Sequence, residues 1–224
     1  MKMGMFAALA GLAVSGAASA AFTGFEVVRT VEGGLARHVL NATFNGATDT
    51  VLNAFHLNRT NGQFGGLPVF FHNDALSGGS SSAAGTWNPQ FLLAPGALDS
   101  YVCIGGGEGF ASGNSTNADP DWGAAGFGQA QIPFLAAGTT SAGPGWFNGN
   151  PPNNQGLQSG GKVRLGQFVV SATAARTDLF IKIGYNTGPN TTVVFAEGTF
   201  RLNVPAPGAV ALLGLAGLAG RRRR

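Results

Sequence analysis

The sequence predicts an all-β fold, an antiparallel β-sandwich or a jelly roll, on three observations. Short runs with alternating apolar and polar residues recur through residues 21–203, and Gly- and Asn-rich turn signals separate them. No helical periodicity intervenes, which argues against the strand–helix alternation of a parallel α/β sheet. No internal repeat is present either, which argues against a solenoid or propeller. The choice between sandwich and jelly roll stays open at this level.

Eight runs carry the strand pattern. FTGFEVVRTVE (22–32) leads through Gly33-Gly34 into RHVLNATFN (37–45), where Leu40, Ala42 and Phe44 share a face. Asn45-Gly46 then turns the chain into TVLNAFHLN (50–58), and LPVFFH (67–72) follows after Asn61-Gly62. DSYVCIGG (99–106) comes next, then KVRLGQFVVS (162–171) and DLFIKIGYN (178–186). In the last of these Leu179, Ile181, Ile183 and Tyr185 alternate with Phe180, Lys182 and Gly184. After the turn Asn186-Thr187-Gly188-Pro189, TTVVFAEGTFRLN (191–203) closes the domain. Residues 105–161 interrupt this rhythm with GGGEGF, NADPDWG and GPGWFNGNPPNNQG. A loop that long is uncommon unless functional or disordered. Turns pinned by Trp122, Trp146 and Phe147 are expected to order it as a cap over one end of the sheets.

The length of 224 residues fits one domain of about 180 residues plus two terminal segments. Charged residues are 10% of the chain, against about 25% in an average soluble domain. The 44% hydrophobic content and 17 Phe are too apolar for general disorder. Of the 13 basic residues, Lys2 and Arg221–Arg224 lie at the ends, leaving eight between residues 21 and 203 against all 10 acids. The body therefore carries −2 despite the chain's net charge of +3, and this removes the electrostatic case for a nucleic-acid partner.

The two ends read as addresses. MKMGMFAALAGLAVSGAASA has a basic start, an apolar stretch over 5–14 and the small-residue site Ala18-Ser19-Ala20. That is the pattern of a signal peptide (1–20) cleaved by signal peptidase after Ala20, or one residue later at Ala21. The chain ends in VPAPGAVALLGLAGLAGRRRR (204–224). Its apolar run of thirteen residues (208–220) reaches about 20 Å of a roughly 30 Å hydrocarbon core, a marginal span. Arg221, Arg222, Arg223 and Arg224 then act as a stop that stays on the cytoplasmic side.

Val204-Pro205-Ala206-Pro207, the short apolar helix and the basic end closely resemble the PEP-CTERM sorting signal of exported bacterial proteins. Ala206 stands where that family usually has Glu. The resemblance covers 204–224 and implies delivery to the cell envelope, membrane contact through 208–220, and processing at the motif by an exosortase-type transpeptidase. It implies a structural or adhesive role at the surface or in the extracellular matrix. Two other classes compete: a module that binds polysaccharide or ice through a flat or aromatic face, and a secreted hydrolase.

Candidate chemical sites are sparse. Cys103 is the single cysteine, so no intrachain disulfide forms, and in YVCIGG it reads as a small buried strand residue. His38, His56 and His72 have no ligand spacing and read as surface or turn histidines. Asn117-Ala118-Asp119-Pro120-Asp121 places oxygens at alternate positions, but Trp122 and Gly128 stand where a calcium loop needs Gly and Glu. Asp119 and Asp121 are also the one close acid pair, and no motif marks two carboxylates converging across a glycosidase cleft. No G-x-S-x-G elbow or phosphate loop is present, and Gly105-Gly106-Gly107 has no helix after it. Trp87, Trp122 and Trp146 read as a local core rather than a sugar-stacking platform. Asn41, Asn58, Asn114 and Asn190 fit N-x-[ST] by chance in so Asn- and Thr-rich a chain. The sequence therefore implies no catalytic residue, no metal and no cofactor.

Overall fold

Gly33 and Gly34 set the first hairpin. Both adopt positive φ, 57° and 80°, the backbone of a two-residue turn whose twist matches that of the strands it joins. Strand β1 (Phe22–Glu32) therefore folds straight back on β2 (Leu35–Phe44), with pairing from Glu32↔Leu35 to Phe22↔Phe44. The strand β2 begins two residues before its apolar alternation does, because the turn zips the ladder from its first residue.

The computed structural model describes residues 21–60, 69–72, 87–88, 98–106, 114–134 and 143–203. Within them follow β3 (Thr50–Arg59), β4 (Tyr101–Val102), β5 (Thr116–Ala118), β6 (Trp146–Asn148), β7 (Lys162–Ser171), β8 (Thr177–Asn186) and β9 (Val194–Leu202). All pairings are antiparallel. One sheet has the order β1-β2-β7-β4 and the other β5-β6-β3-β8-β9. Their inner faces meet through Leu40, Leu165 and Phe168 on one side and Leu57, Ile181 and Phe200 on the other, all buried. Burying each such side chain contributes about 1.5–3 kcal/mol. The fold is an antiparallel β-sandwich.

Trp87, Trp122 and Trp146 complete this core rather than the surface, each at most 1% exposed. Each indole N–H donates to a backbone carbonyl: Trp87 to Gln129 at 2.8 Å, Trp122 to Gly145 at 2.6 Å and Trp146 to Cys103 at 2.9 Å. A buried indole needs that partner, and three satisfied ones leave no sugar-stacking platform among these residues.

Three expectations change. LPVFFH forms no strand over its described part, 69–72. There the Gln131 side chain brackets Phe70, its Oε1 accepting from Phe70 N at 2.8 Å and its Nε2 donating to Phe70 O at 3.0 Å, while Phe71 N donates to Val169 O at 2.8 Å and Phe71 O accepts from Ser100 N at 3.1 Å. The run 99–106 shortens to Tyr101–Val102, and positive φ at Gly105 and Gly106 bends the chain away soon after. Segment 105–161 is not a cap in its described parts, since it supplies β5 and β6 to the edge of the five-stranded sheet. Phe147 pins nothing there; it is 40% exposed while its neighbours Trp146 and Asn148 point inward.

The central strand β3 carries two irregularities. Val51 pairs with Tyr185 and Asn53 with Gly184, so Leu52 is an extra residue; Phe55 pairs with Lys182 and Asn58 with Phe180, so the His56-Leu57 step holds another. At the second, His56 takes φ 56°, the left-handed backbone that a bulge usually gives to glycine. The bulge keeps Leu57 in the core, where its N–H donates to Pro144 O at 3.0 Å.

Candidate functional site

The outer face of the five-stranded sheet holds the site. Directly paired residues on neighbouring strands share a face, so Phe55, Lys182 and Glu197 form one outward row across β3, β8 and β9. Asn53, Gly184 and Phe195 form the adjacent row. Gly184 has no side chain, and the flanking rings close over it: Phe55 and Phe195 meet edge-to-face with centroids 6.0 Å apart. A Cβ there would lie 2.5 Å from Asn53 Oδ1 and 3.3 Å from Phe195 Cε1, so those side chains would have to shift to admit it.

Phe55, His56, Lys182, Phe195, Ala196 and Glu197 line an open groove of about 450 Å³, within the range of small-ligand sites. Phe195 is 66% exposed, a large apolar ring left in water on an edge strand. Lys182 Nζ donates to Glu197 Oε2 at 2.6 Å and sits 5.8 Å from the centroid of Phe180. The His56 ring packs against Phe55 with centroids 4.9 Å apart. Asp119 lies within electrostatic reach behind the bulge. Burial pushes its carboxyl above the ordinary 3.8, opposed by a backbone hydrogen bond at Gly145 and by His56, while Asp121 adds to the rise. The arrangement offers two ring surfaces, one cation, one anion and an imidazole on a rigid sheet.

Two of the three histidines, His38 and His72, are not the surface or turn residues that their spacing implies, whereas His56 lies at the groove on the outer face. His38 is 1% exposed inside β2 and held by two backbone groups. The His72 side chain is only 4% exposed; its Nδ1 lies 3.0 Å from Asp99 Oδ1 and its ring stacks on Trp87 at 4.7 Å. Burying an imidazole is affordable only where partners wait for its nitrogens, and sequence spacing does not reveal partners 27 or 165 residues away. The His72–Asp99 pair has no nucleophile aimed at it from the adjacent Ser100. That hydroxyl accepts from Val169 N at 2.8 Å and donates to Val169 O at 3.3 Å.

Asp119 and Asp121 come together in one turn. Asp119 Oδ1 accepts from Asp121 N at 3.1 Å and caps the 3₁₀ turn Pro120–Trp122. Among the described residues no group of three His, Cys, Asp or Glu side chains converges as a metal site. Cys103 is fully buried, and burial pushes its thiol up to about 12, with Arg164 pulling it down.

Of the address residues, Ala21 alone is described: its N–H donates to Asn45 Oδ1 at 2.7 Å, and its carbonyl accepts from Asn45 N at 3.2 Å. Ala18, Ala20, Val204 to Pro207 and Arg221 to Arg224 lie outside the described residues. No helix among the described residues is long and apolar enough to cross a membrane.

Compared with protein-family models, curated proteins and solved structures, the chain matches none. The groove is thus characterised by its own geometry alone. Its residues escape a sequence reading because Phe55 and Phe195 occupy the outward parity, where the alternation pattern expects polar side chains. The usable signal is the parity of FAEGTF: Phe195 cannot share a face with Phe200 in a regular strand.

Proposed function

We propose that the protein is an exported, envelope-associated β-sandwich with an adhesive or structural role in the extracellular matrix. The addresses at both ends support export and surface delivery. The observation that carries the adhesive part is the solvent-facing groove built around Phe55 and Phe195, aromatic surface held open on a rigid sheet. Exposed apolar area of this kind marks interaction sites.

Expression in a native host with an intact sorting system tests the reading. The wild-type protein is expected in the envelope or matrix fraction. Replacing Arg221 to Arg224 with Ser releases precursor into the medium or leaves its tail accessible from outside, since each Arg inserted at a helix centre costs about 2.5–3.5 kcal/mol. Replacing Pro205 and Pro207 leaves the protein anchored but unprocessed. An arginine variant that distributes and matures like the wild type overturns the proposal.

A further inference from the structure

We infer that β9 is a docking edge for a second copy of this chain, paired antiparallel about a twofold axis through Thr199. The inference goes beyond the adhesive reading by naming a partner, and it stands on the sheet edge rather than on the tail.

The first observation is an open, regular edge. β9 pairs with β8 on one side and ends its five-stranded sheet on the other. The β8 ladder runs from Val194↔Tyr185 to Leu202↔Thr177 without a register shift, so the edge is straight over 9 residues. Among the described residues, no backbone group outside β8 bonds to the backbone of 194–202. Phe25 of β1 covers the inner face at Gly198, so β1 lies under β9 and not along its edge. Edge strands are commonly guarded by proline, lysine, a bulge or shortness, and an unguarded one is a template for another strand. VFAEGTFRL carries none of these guards.

The second observation is self-complementary charge. Phe195, Glu197, Thr199 and Arg201 share the outward parity, and all four are exposed. In an antiparallel pair centred on Thr199, Glu197 of each copy falls opposite Arg201 of the other, and the symmetry makes that contact twice. Opposite charges directly across a pair stabilise it, and like charges oppose it. Centring on Glu197 would set two carboxylates face to face, and centring on Arg201 two guanidiniums. Centring on Gly198 forms neither ion pair. Both groups have capacity for the contact. Arg201 reaches Asp178 through Nε at 3.4 Å, while Arg176 holds that carboxylate at 2.8 and 2.6 Å. Lys182 engages Oε2 of Glu197, whose side chain stays 57% exposed.

The third observation is the position of the Phe195 ring. In the Thr199-centred register its diagonal neighbour is Arg201 of the second copy, within reach of an aromatic side chain. The exposed ring thereby gains a guanidinium to stack on. Growth stops at two copies, because pairing uses β9 of both and the opposite edge of each sheet, β5, has 3 residues.

The test is sedimentation velocity on the mature protein purified from the native host. Wild type is expected to form a concentration-dependent dimer. Arg201→Glu and Glu197→Arg each set like charges opposite at both contacts, and each is expected to weaken the dimer at least about tenfold. An equimolar mixture of the two variants is expected to dimerise again, because Glu then meets Arg at both contacts. Recovery in trans separates a lost interface from a damaged fold. Thr199→Cys, on the axis, is expected to cross-link two copies under mild oxidation, whereas Val28→Cys, exposed on β1, is not. A wild type that stays monomeric at every concentration overturns the inference, as does a dimer indifferent to both charge variants, the mark of association through the apolar tail. A mixture that stays monomeric, species larger than a dimer, or a Thr199→Cys protein that does not cross-link overturns it too. The outcome is independent of the tail experiment: an exported protein that is monomeric refutes the edge and keeps the location, and a dimer that is not exported does the converse.

Discussion

The backbone N–H of Asn203 donates to Nε2 of His38 over 2.9 Å, joining residues 165 positions apart. The other ring nitrogen, Nδ1, faces Phe168 O at 3.3 Å. A carbonyl can only accept, so Nδ1 carries the proton and the ring is neutral. Asn203 is fixed on its other side as well, its Nδ2 donating to Ser171 O and Ala174 O, both at 3.0 Å. The last described residue before the Pro-Ala-Pro motif is thereby latched to both β2 and the turn after β7.

This latch makes stability depend on pH in a defined direction. Burial lowers the His38 pKa from 6.5, with Phe168 and Ala36 opposing and Arg29 assisting. The unfolded chain therefore takes up the proton first. The stabilisation from His38 is fully present above pH 6.5, declines as pH falls below it, and stops changing beneath the lowered native value. His38→Gln is expected to cost about 1–3 kcal/mol at pH 7.5, for a buried donor left without its partner, and less at pH 5. Urea unfolding of both proteins at several pH values checks this. A gap between them that stays constant from pH 7.5 to 5 sinks the argument.

Gly184 supports the groove through an absence. Its N–H donates to Asn53 Oδ1 at 2.8 Å, and the amide fills the space where a Cβ would stand. Gly184→Ala is expected to destabilise by about 1–3 kcal/mol, the usual cost of forcing a methyl into packed surroundings. Asn53→Ala removes the obstacle, so the double variant should be more stable than the sum of the single changes predicts. Thermal denaturation of the four proteins measures the coupling, and strict additivity would contradict the geometry.

Strand 22–32 was legible to the residue because alternation and the Gly33-Gly34 turn agree there, and 162–171 was legible from its apolar run alone. β5 and β6 were not, since three residues cannot show a period. Tertiary contacts hold them instead: Gln155 Oε1 accepts from Ser115 N at 2.9 Å, and its Nε2 donates to Thr116 Oγ1 at 3.2 Å. Some glycines in that segment, among them Gly145, Gly149 and Gly156, serve close contact rather than turning. A Cβ on Gly156 would lie 2.0 Å from Val51 O, a constraint invisible without the neighbouring strand. The burial of Cys103 was readable from YVCIGG, whereas the groove was hidden because β8 carries apolar residues on both parities, Phe180 outward and Ile181 inward.

Cys103 should behave as an inert core thiol. It is fully buried, its pKa is pushed up to about 12, and its Sγ donates weakly to Arg164 O at 3.7 Å. The thiolate is the reactive form, so labelling requires opening of the sheet. A chromogenic disulfide reagent at pH 8 is expected to react at least about a hundredfold more slowly with native protein than with protein in denaturant, the ratio reporting the opening equilibrium. Labelling at equal rates would place the thiol at the surface.

The start of β1 discriminates between the two cleavage positions. If the mature chain begins at Ala21, the new α-ammonium lies at the nitrogen now 2.7 Å from Asn45 Oδ1. A charged donor there makes the contact charge-assisted. Asn45→Asp then adds an ion pair at an exposed site and raises stability slightly, by less than about 1 kcal/mol, an increment that salt removes. If the chain begins at Phe22, neither the Ala21 N–H nor its carbonyl remains, and Asn45→Asp brings no such salt-sensitive gain. Intact-mass analysis of the exported protein identifies the first residue, and melting temperatures at low and high salt read the consequence. A chain that starts at Ala21 yet gains nothing from Asn45→Asp at low salt would show that this contact does not hold the N-terminus to the sheet.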